Sequence, residues 1–208
     1  MKLYFNPHSP ACRRVLAVGF HLQLPIELHE LPFGDDRHPG IQRVRALSPG
    51  GRVPLLEDGS FAIWESNAIM QYLCAKKVEQ SLFPEETKTR IEIARWQFWQ
   101  TAHLGPACDQ LADEQVFKRW TGGGEADPKV VEEATEAFRR EAKVLDQHLK
   151  SRKFIVGDSL TLADYSIGSC LTYWQPAGMP LPEFKHLKDW FTHLETTEAW
   201  KKSAGRAR

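Results

Sequence analysis

The chain has 208 residues, with acidic and basic side chains balanced at 27 each and a hydrophobic content of 42%. This balance gives no electrostatic basis for binding nucleic acid or an anionic membrane surface. No segment approaches the ~20 apolar residues of a membrane helix, and the first residues lack the apolar run of a signal peptide. We therefore expect a cytoplasmic protein without nucleic-acid or membrane partners. The length suffices for one large domain or two small ones.

Cysteine and histidine usage narrows the chemistry further. Four cysteines are scattered without paired spacing, at Cys12, Cys74, Cys108 and Cys170. This pattern indicates reduced thiols in a cytosolic protein rather than a disulfide framework. The eight histidines show no metal-ligand spacing with cysteine or with one another. We therefore expect no metal site.

Short strand and helix signals alternate over the first part of the chain. Leu3–Phe5 is a short apolar strand that ends at Asn6-Pro7. Ser9-Pro10 begins a helix, because Ser is a favoured N-cap and Pro is tolerated at the first helical position. A strand pattern over residues 26–31 follows. Pro32–Gly40 is rich in Gly, Pro and Asp, which indicates a surface loop.

A hairpin signal comes next. Asp58-Gly59 lies between the apolar segments Leu55-Leu56 and Phe61–Trp64, a pattern typical of a tight turn between two strands. Ser66 is placed to cap the helix that follows. The order β-α-β, connecting loop, β-β-α predicts a mixed sheet with helices on its faces, and we assign it to residues 1–80.

The remainder of the chain is helical throughout. Pro84 and the Glu pair after it interrupt the preceding helix, and we place the domain boundary there. Gly122–Gly124 separates a long helical region from a helix that begins at Asp127-Pro128. Thr161–Asp164 has the pattern of a helix capping box, with Asp in place of the usual Glu. We expect an all-α bundle over residues 86–208.

Three separated segments carry a resemblance to a known family. They are Y-F-N-P-H-S-P-A-C-R-R-V from Tyr4, R-V-P from Arg52 followed by E-S-N-A-I from Glu65, and G-D-S-L-T-L-A-D from Gly157. In this order the chain resembles the cytosolic glutathione transferases over nearly its whole length. The serine-dependent classes, such as phi, theta, beta and the bacterial nu-like proteins, are the most similar. The resemblance implies a thioredoxin-like α/β first domain (βαβ-ββα), an all-α second domain, a homodimer, and glutathione as co-substrate.

The resemblance implies that Ser9 holds the glutathione thiolate. A helix N-terminus offers unpaired N–H groups and the positive end of the dipole to an anion. Lowering a thiol pKa from ~8.5 by ~2 units raises the thiolate fraction roughly twenty-five-fold, but its nucleophilicity falls roughly eightfold. Because the net gain is only about threefold, positioning of the electrophile must supply most of any large acceleration. A plain helix cap is the alternative interpretation of Ser9.

Other residues are implied to hold the rest of the tripeptide. Val53 precedes a proline whose peptide bond the resemblance implies to be cis, which turns the Val53 N–H and C=O towards the cysteinyl unit. Glu65 would face the γ-glutamyl ammonium, and Ser66 would bind the γ-glutamyl carboxylate. Arg52 and His38 are both candidates for the glycine carboxylate. The sequence does not decide between them.

The electrophile pocket is implied less specifically, with His8, Cys12, Trp99, His103 and Trp174 as candidates. An aromatic stripe at helical spacing is also typical of a buried core. Ser9-Pro10-Ala11-Cys12 has the spacing of the redox motif C-P-x-C, with Ser in the nucleophilic position. Cys12 therefore fits two interpretations, a small buried hydrophobe or a thiol that forms a mixed disulfide with glutathione.

Three functions are compatible with these patterns. The favoured one is a detoxifying transferase that conjugates the glutathione thiolate to hydrophobic electrophiles. A second is a glutathione-dependent disulfide or peroxide reductase that uses Cys12. A third is a non-catalytic protein that binds glutathione or other ligands. The sequence does not name the electrophile.

Overall fold

The computed structural model describes residues 1–204, and these divide into two units. The first contains Met1–Phe83 and the described residues from Thr197 on, and the second contains Pro84–Thr196. No helix among the described residues is long and apolar enough to cross a membrane. The α-helices are α1 (Pro10–Leu22), α2 (Pro39–Leu47), α3 (Ser66–Ala75), α4 (Thr87–Trp99), α5 (Gly105–Ala112), α6 (Lys118–Thr121), α7 (Pro128–Leu149), α8 (Leu162–Cys170), α9 (Lys185–Thr196) and α10 (Glu198–Lys202).

A four-stranded sheet forms the centre of the first unit. Its strands are β1 (Lys2–Phe5), β2 (Glu27–Glu30), β3 (Leu55–Asp58) and β4 (Phe61–Trp64), in the spatial order β2-β1-β3-β4. β1 pairs in parallel with β2 and antiparallel with β3, which pairs antiparallel with β4. Hence β1, β2 and β4 run in one direction and β3 runs against them. The predicted thioredoxin-like sheet is confirmed.

α1 begins where the sequence predicts. Ser9 has an extended backbone, and its Oγ accepts a hydrogen bond from the Cys12 N–H at 3.3 Å. Pro10 occupies the first helical position. Val15 and Val18 are fully buried, so the apolar face of α1 contributes to the core of this unit, where α1 packs against α3.

Where the sequence predicts a connecting loop between β2 and β3, the structure contains the helix α2. His38 is its N-cap, and the His38 Nδ1 accepts a hydrogen bond from the Gly40 N–H at 3.2 Å. Val44 is the one buried side chain among the residues of α2. Ile41, Val44 and Leu47 lie at three-residue spacing, but the helix is short and begins with Pro39-Gly40, a pair typical of loops, so the sequence did not predict it.

The β3–β4 hairpin is present, with its turn one position later than predicted. Asp58 pairs with Phe61, which leaves Gly59 and Ser60 as the two-residue turn. Gly59 has φ +60°, a conformation that glycine adopts without the steric cost of a Cβ. The Asp58 side chain accepts a hydrogen bond from the Tyr72 hydroxyl at 2.8 Å and an ion pair from Lys76 at 2.7 Å. These contacts fasten the hairpin to the end of α3.

The second unit is helical, as predicted. Its long first segment is interrupted by two π-helical turns, Gln100–Leu104 and Asp113–Phe117. In the first turn the Gly105 N–H donates to the Gln100 carbonyl, and a Cβ on Gly105 would lie 2.7 Å from that oxygen. The glycine therefore permits the close approach that the wider turn requires. The residue pattern of these turns is the same as that of an ordinary helix, so the sequence does not predict them.

The last helix groups with the first unit, whereas the sequence assigns residues 86–208 to the second domain. In α10, Trp200 is almost completely buried, and the Arg13 guanidinium of α1 lies 4.1 Å from the centroid of the Trp200 ring. This cation–π contact and the packing of α10 against α1 join the two helices. The sequence alone does not show in which domain a buried tryptophan such as Trp200 packs.

The capping box of α8 is part of a larger buried network. The Asp164 carboxylate is fully buried and accepts hydrogen bonds from the Thr161 N–H, the Thr161 hydroxyl, the Ile155 N–H and the Trp190 indole N–H, at 2.8–3.0 Å. Burial raises the pKa of Asp164, and these hydrogen bonds act in the opposite direction. The side chain thus joins the loop before α8 to α9.

We expect Asp164→Ala to lower the free energy of unfolding by about 3–5 kcal/mol, because it leaves several buried donors without an acceptor. Urea denaturation followed by circular dichroism measures the loss. Asp158→Ala, at an exposed position in the same loop, is the matched control and should change stability by less than about 0.5 kcal/mol. Equal stability of the two variants would contradict the structural importance of the network.

Candidate functional site

The strand directions bring the candidate binding segments to one edge of the sheet. Leu55, at the start of β3, pairs with Tyr4 near the end of β1 and with Trp64 at the end of β4. At the end of β2, Glu30 pairs with Phe5. The predicted residues lie next to these ends: Ser9 after β1, His38 after β2, Arg52 and Val53 before β3, and Glu65 and Ser66 after β4.

Ser9 combines a structural contact with an available donor. Its Oγ already accepts from the Cys12 N–H, which is the ordinary role of an N-cap. A hydroxyl has one hydrogen to donate in addition to its two acceptor lone pairs. Within residues 1–204 no acceptor takes the Ser9 O–H. Ser9 can therefore cap α1 and donate to a bound anion at the same time.

Asn6 organises the loop in front of Ser9. Its backbone carbonyl accepts from the Ser9 N–H at 3.1 Å, and its Oδ1 accepts from the His8 N–H at 2.9 Å. Its Nδ2 donates to the Leu31 carbonyl at 3.0 Å, beyond the end of β2. Asn6 is buried, so these bonds hold the loop in one conformation. From the sequence, Asn6 is interpreted only as the end of the strand; its position before Pro7 is the available signal for a further role.

Glu65 has an unusual backbone conformation at the start of α3. Its φ of 68° and ψ of 109° lie outside the common regions for a residue with a side chain, at a cost of about 1–3 kcal/mol. Such strain concentrates at functional sites. The Glu65 side chain is exposed and makes no ion pair within the described part of the chain. It is free to face a cation.

Ser66 does not cap α3, contrary to the expectation. Glu65 occupies the N-cap position without a side-chain capping bond, and its carbonyl accepts from the Ile69 N–H at 2.9 Å. Ser66 is instead the first helical residue and is buried. Its N–H belongs to the first turn, where donors have no partner inside the helix. The helix therefore starts one residue earlier than Ser66, as the favoured cap residue, indicated.

Val53 precedes a cis peptide bond, as the resemblance implies. Strand pairing begins at Leu55, so Val53 lies just outside the ladder. Among the described residues, neither its N–H nor its C=O has a backbone hydrogen bond. Both groups can therefore pair with an extended peptide.

His38 and Arg52 both offer donors for an anion. Because the His38 Nδ1 accepts from the Gly40 N–H, the neutral ring carries its proton on Nε2, which remains able to donate. Arg52 is exposed and makes no ion pair with another residue of 1–204. The two residues flank α2 in the chain, and both belong to the same edge of the sheet.

Cys12 is fully buried, whereas it was expected among the residues that line the electrophile pocket. Its side chain has no exposed surface, and its sulfur accepts a hydrogen bond from the Asn6 N–H at 3.4 Å. Burial raises the pKa of Cys12 to about 11. Because a thiolate is the reactive form, this environment weighs against a redox role. The bond to Asn6 gives Cys12 a structural role in the Ser9 loop.

The other pocket candidates are placed as follows. His8 is half-buried in the loop before Ser9. In the second unit, Trp99 is half-buried with its ring 6.4 Å from that of the exposed His103. Trp174 instead has the Lys188 Nζ 4.3 Å above its ring.

A further aromatic cluster was not predicted as a group. Phe117, Trp120 and Tyr173 contact one another in edge-to-face geometry, with ring centroids 5.1–5.8 Å apart. Phe117 lies in the second π-helical turn, and the indole of Trp120 is exposed. The cluster provides a partly exposed aromatic surface on the second unit. The π-helical turn shifts the helical register there, so simple spacing did not identify it.

Family models match nearly the whole chain. Residues 3–81 match the model for the glutathione S-transferase N-terminal domain, and residues 75–198 match the model for the glutathione S-transferase C-terminal domain. Glutathione S-transferase 3 of Zea mays is 30% identical, over 98% of this chain and 92% of the maize protein. The probable glutathione S-transferase GSTF2 of Oryza sativa subsp. japonica is 29% identical, over 93% of this chain and 91% of the rice protein.

The fold of this chain matches solved structures of similar proteins over nearly its whole length. Glutathione transferase F7 from Populus trichocarpa superposes with a TM-score of 0.87 at 25% identity, covering 98% of this chain and 97% of the poplar chain. The theta class glutathione S-transferase of Xanthomonas axonopodis pv. citri, solved with glutathione bound, has a TM-score of 0.86 at 26% identity. That match covers 99% of this chain and 97% of the bacterial one.

We expect Cys12 in the native protein to resist alkylation by iodoacetamide at pH 8, because its thiol is buried and its pKa of about 11 leaves it protonated. Peptide mapping measures the labelling at each cysteine. Ser60→Cys, which places a thiol in the exposed β3–β4 turn, should label rapidly under the same conditions. Unfolding in urea should make Cys12 reactive. Rapid native labelling of Cys12 would restore the redox interpretation.

Proposed function

The chain belongs to the glutathione S-transferase family, and we propose that it transfers the thiolate of glutathione to small hydrophobic electrophiles, with Ser9 holding the thiolate. The observation that carries this proposal is the double use of the Ser9 hydroxyl. Its oxygen caps α1 through the Cys12 N–H, and its hydrogen remains available to a sulfur anion. The start of α1 adds the favourable end of the helix dipole.

In the reaction, glutathione loses its thiol proton to solvent and the thiolate accepts a hydrogen bond from Ser9. The sulfur electron pair then forms a bond to the electrophilic carbon, and the leaving group departs with its own pair or, in an addition, the electrons pass to the substrate. Ser9 stabilises the anion and forms no covalent bond. Because lowering the thiol pKa gains only about threefold in rate, orientation of the electrophile must supply most of the acceleration.

The rest of glutathione would be held along the same sheet edge. The free N–H and C=O of Val53 suit the backbone of the cysteinyl unit. Glu65 would face the γ-glutamyl ammonium, and the Ser66 N–H at the start of α3 would bind the γ-glutamyl carboxylate. The His38 Nε2–H and the Arg52 guanidinium would bind the glycine carboxylate.

The electrophile would contact aromatic side chains of the second unit. Trp99 with His103, the cluster of Phe117, Trp120 and Tyr173, and Trp174 all present ring surface that is at least partly accessible. His8, in the loop before Ser9, stays the polar candidate from the sequence. Aromatic surfaces suit a hydrophobic substrate because they bury large apolar area with few rotatable bonds.

The two alternative functions receive less support. A reductase would need a reactive second thiol, and the burial of Cys12 opposes this. A non-catalytic binding protein would need no free donor at Ser9. A transferase would use both the Ser9 hydroxyl and the residues proposed to bind the rest of glutathione.

We further propose that the enzyme is a cytoplasmic homodimer with a detoxifying role. The resemblance to the family supports this assembly. On α4, Phe98 and Ile91 are 75% and 64% exposed, which is unusual for large apolar side chains and typical of an interaction surface.

We expect Ser9→Ala to reduce conjugation of a generic aryl halide at pH 6.5 at least threefold, because the thiolate loses its hydrogen bond. The pH at which kcat/KM is half-maximal should rise by ~2 units, towards the pKa of a free thiol at ~8.5. Steady-state kinetics over pH 5.5–9 measure both effects.

Ser9→Thr is the control for the loss of the helix cap. It keeps a hydroxyl that both caps α1 and donates, so it should retain the low pH midpoint. Ser60→Ala, in an exposed turn, should behave as the wild type. An unchanged pH profile in Ser9→Ala would refute the role proposed for Ser9.

We expect analytical ultracentrifugation to give a mass of twice the 23.8 kDa of the chain. Phe98→Glu, which places a charge on the exposed apolar surface of α4, should shift the equilibrium towards the monomer. A wild-type protein that sediments only as a monomer at micromolar concentration would rule out the homodimer.

A further inference from the structure

α2 connects the two residues that would bind the glycine end of glutathione. His38 is the N-cap immediately before the helix, and Arg52 follows it after the Ser48 C-cap and a short turn. Any displacement of α2 over the sheet moves both donors. The positions of His38 and Arg52 therefore depend on the contacts that hold α2 in place.

Apolar packing holds α2 only weakly. Val44 is buried against Tyr4, Leu31 and Leu55, and it is the one buried residue of the helix. Ile41 and Leu47 are half-buried at the margin of the same cluster. A helix of nine residues with a single buried side chain needs other contacts to fix its position.

Arg43 supplies the missing contact to the sheet. Its Nε donates to the Glu57 Oε1 at 3.1 Å, and its NH2 group donates to the Glu57 Oε2 at 2.6 Å. Glu57 lies in β3 with its side chain 11% exposed, while that of Arg43 is 52% exposed. Two parallel hydrogen bonds fix both the distance and the orientation of the pair. The hydrogen bonds from Arg43 lower the pKa of Glu57, so the carboxylate stays ionised at neutral pH.

The loop before α2 is bonded to the helix. The Arg45 NH2 group contacts the Asp36 Oδ1 at 2.6 Å, and the Gln42 Nε2 donates to the Asp36 carbonyl at 2.6 Å. The His38 N–H donates to the Asp35 carbonyl at 3.1 Å. The loop is thus attached to α2 itself, and the Arg43–Glu57 pair attaches both to the sheet.

We propose that Arg43 and Glu57 are positioning residues for the glycine-carboxylate part of the glutathione site, acting through the placement of α2 and thereby of His38 and Arg52. This inference rests on the proposed function, because it concerns the same site. Neither residue touches the substrate. The pair restricts the orientations of α2, so the carboxylate meets donors that are already in place.

The test compares glutathione with its glycyl ethyl ester, which lacks the glycine carboxylate. For Glu57→Gln we expect KM for glutathione to rise about fivefold, because a smaller fraction of the protein has α2 in the binding arrangement. We expect kcat to change by less than about twofold, since the thiolate site at Ser9 is untouched. KM for the ester should be the same in Glu57→Gln and the wild type.

Matched variants separate the orientation of the pair from its charge. Arg43→Lys keeps the charge but cannot make the paired hydrogen bonds, so its KM should be intermediate. The double exchange Arg43→Glu with Glu57→Arg should recover part of the loss. Asp58→Asn removes the ion pair with Lys76 at the next residue of β3, and it should leave KM for glutathione unchanged.

Three outcomes would overturn the proposal. They are an unchanged KM in Glu57→Gln, an equal rise in KM for glutathione and for the ester, or an equal effect of Asp58→Asn. In each case the wild type still conjugates glutathione, so the proposed function stands. A wild type that does not conjugate glutathione at all would remove the proposed function and this inference with it.

Discussion

The antiparallel pairing of β3 with β1 is the constraint on which the candidate site depends. Because β3 runs against its neighbours, its first residue, Leu55, lies beside the ends of β1 and β4. The open backbone of Val53 thereby reaches the edge where Ser9 and Glu65 also lie. A parallel β3 would put Val53 at the opposite edge. Strand direction thus determines whether the separate motifs form one site.

Capping and ligand binding use different parts of the same side chains. Ser9 and His38 each accept a backbone hydrogen bond at a helix start, and each retains a hydrogen that it can donate. Helix stability and anion binding therefore do not compete at these positions. Glu65 differs, because its strained backbone begins α3 without any side-chain cap. The surrounding hairpin and helix must hold that conformation in place.

The strands, α1 and the helical second part were predictable because each has a strong local signal. The features that the sequence did not predict have weak or misleading local signals. α2 buries only Val44, and its Pro39-Gly40 start resembles a loop. Ser66 is a favoured cap residue, but the backbone of Glu65 starts the helix. The role of Asn6 depends on the Leu31 carbonyl, which is distant in the chain. Such contacts have no periodicity from which to predict them.

By itself the sequence determined the family, the order of elements in the first unit, and Ser9 as the cap of α1, because these depend on short motifs and local backbone preferences. Only the tertiary structure decided that Cys12 is buried, that α10 packs against α1, and that Arg43 of α2 binds Glu57 of β3. These outcomes depend on which residues meet after folding. Ser9 depends on both. Its position as the cap of α1 follows from the local sequence, whereas only the folded loop shows that its hydroxyl hydrogen has no acceptor among the described residues.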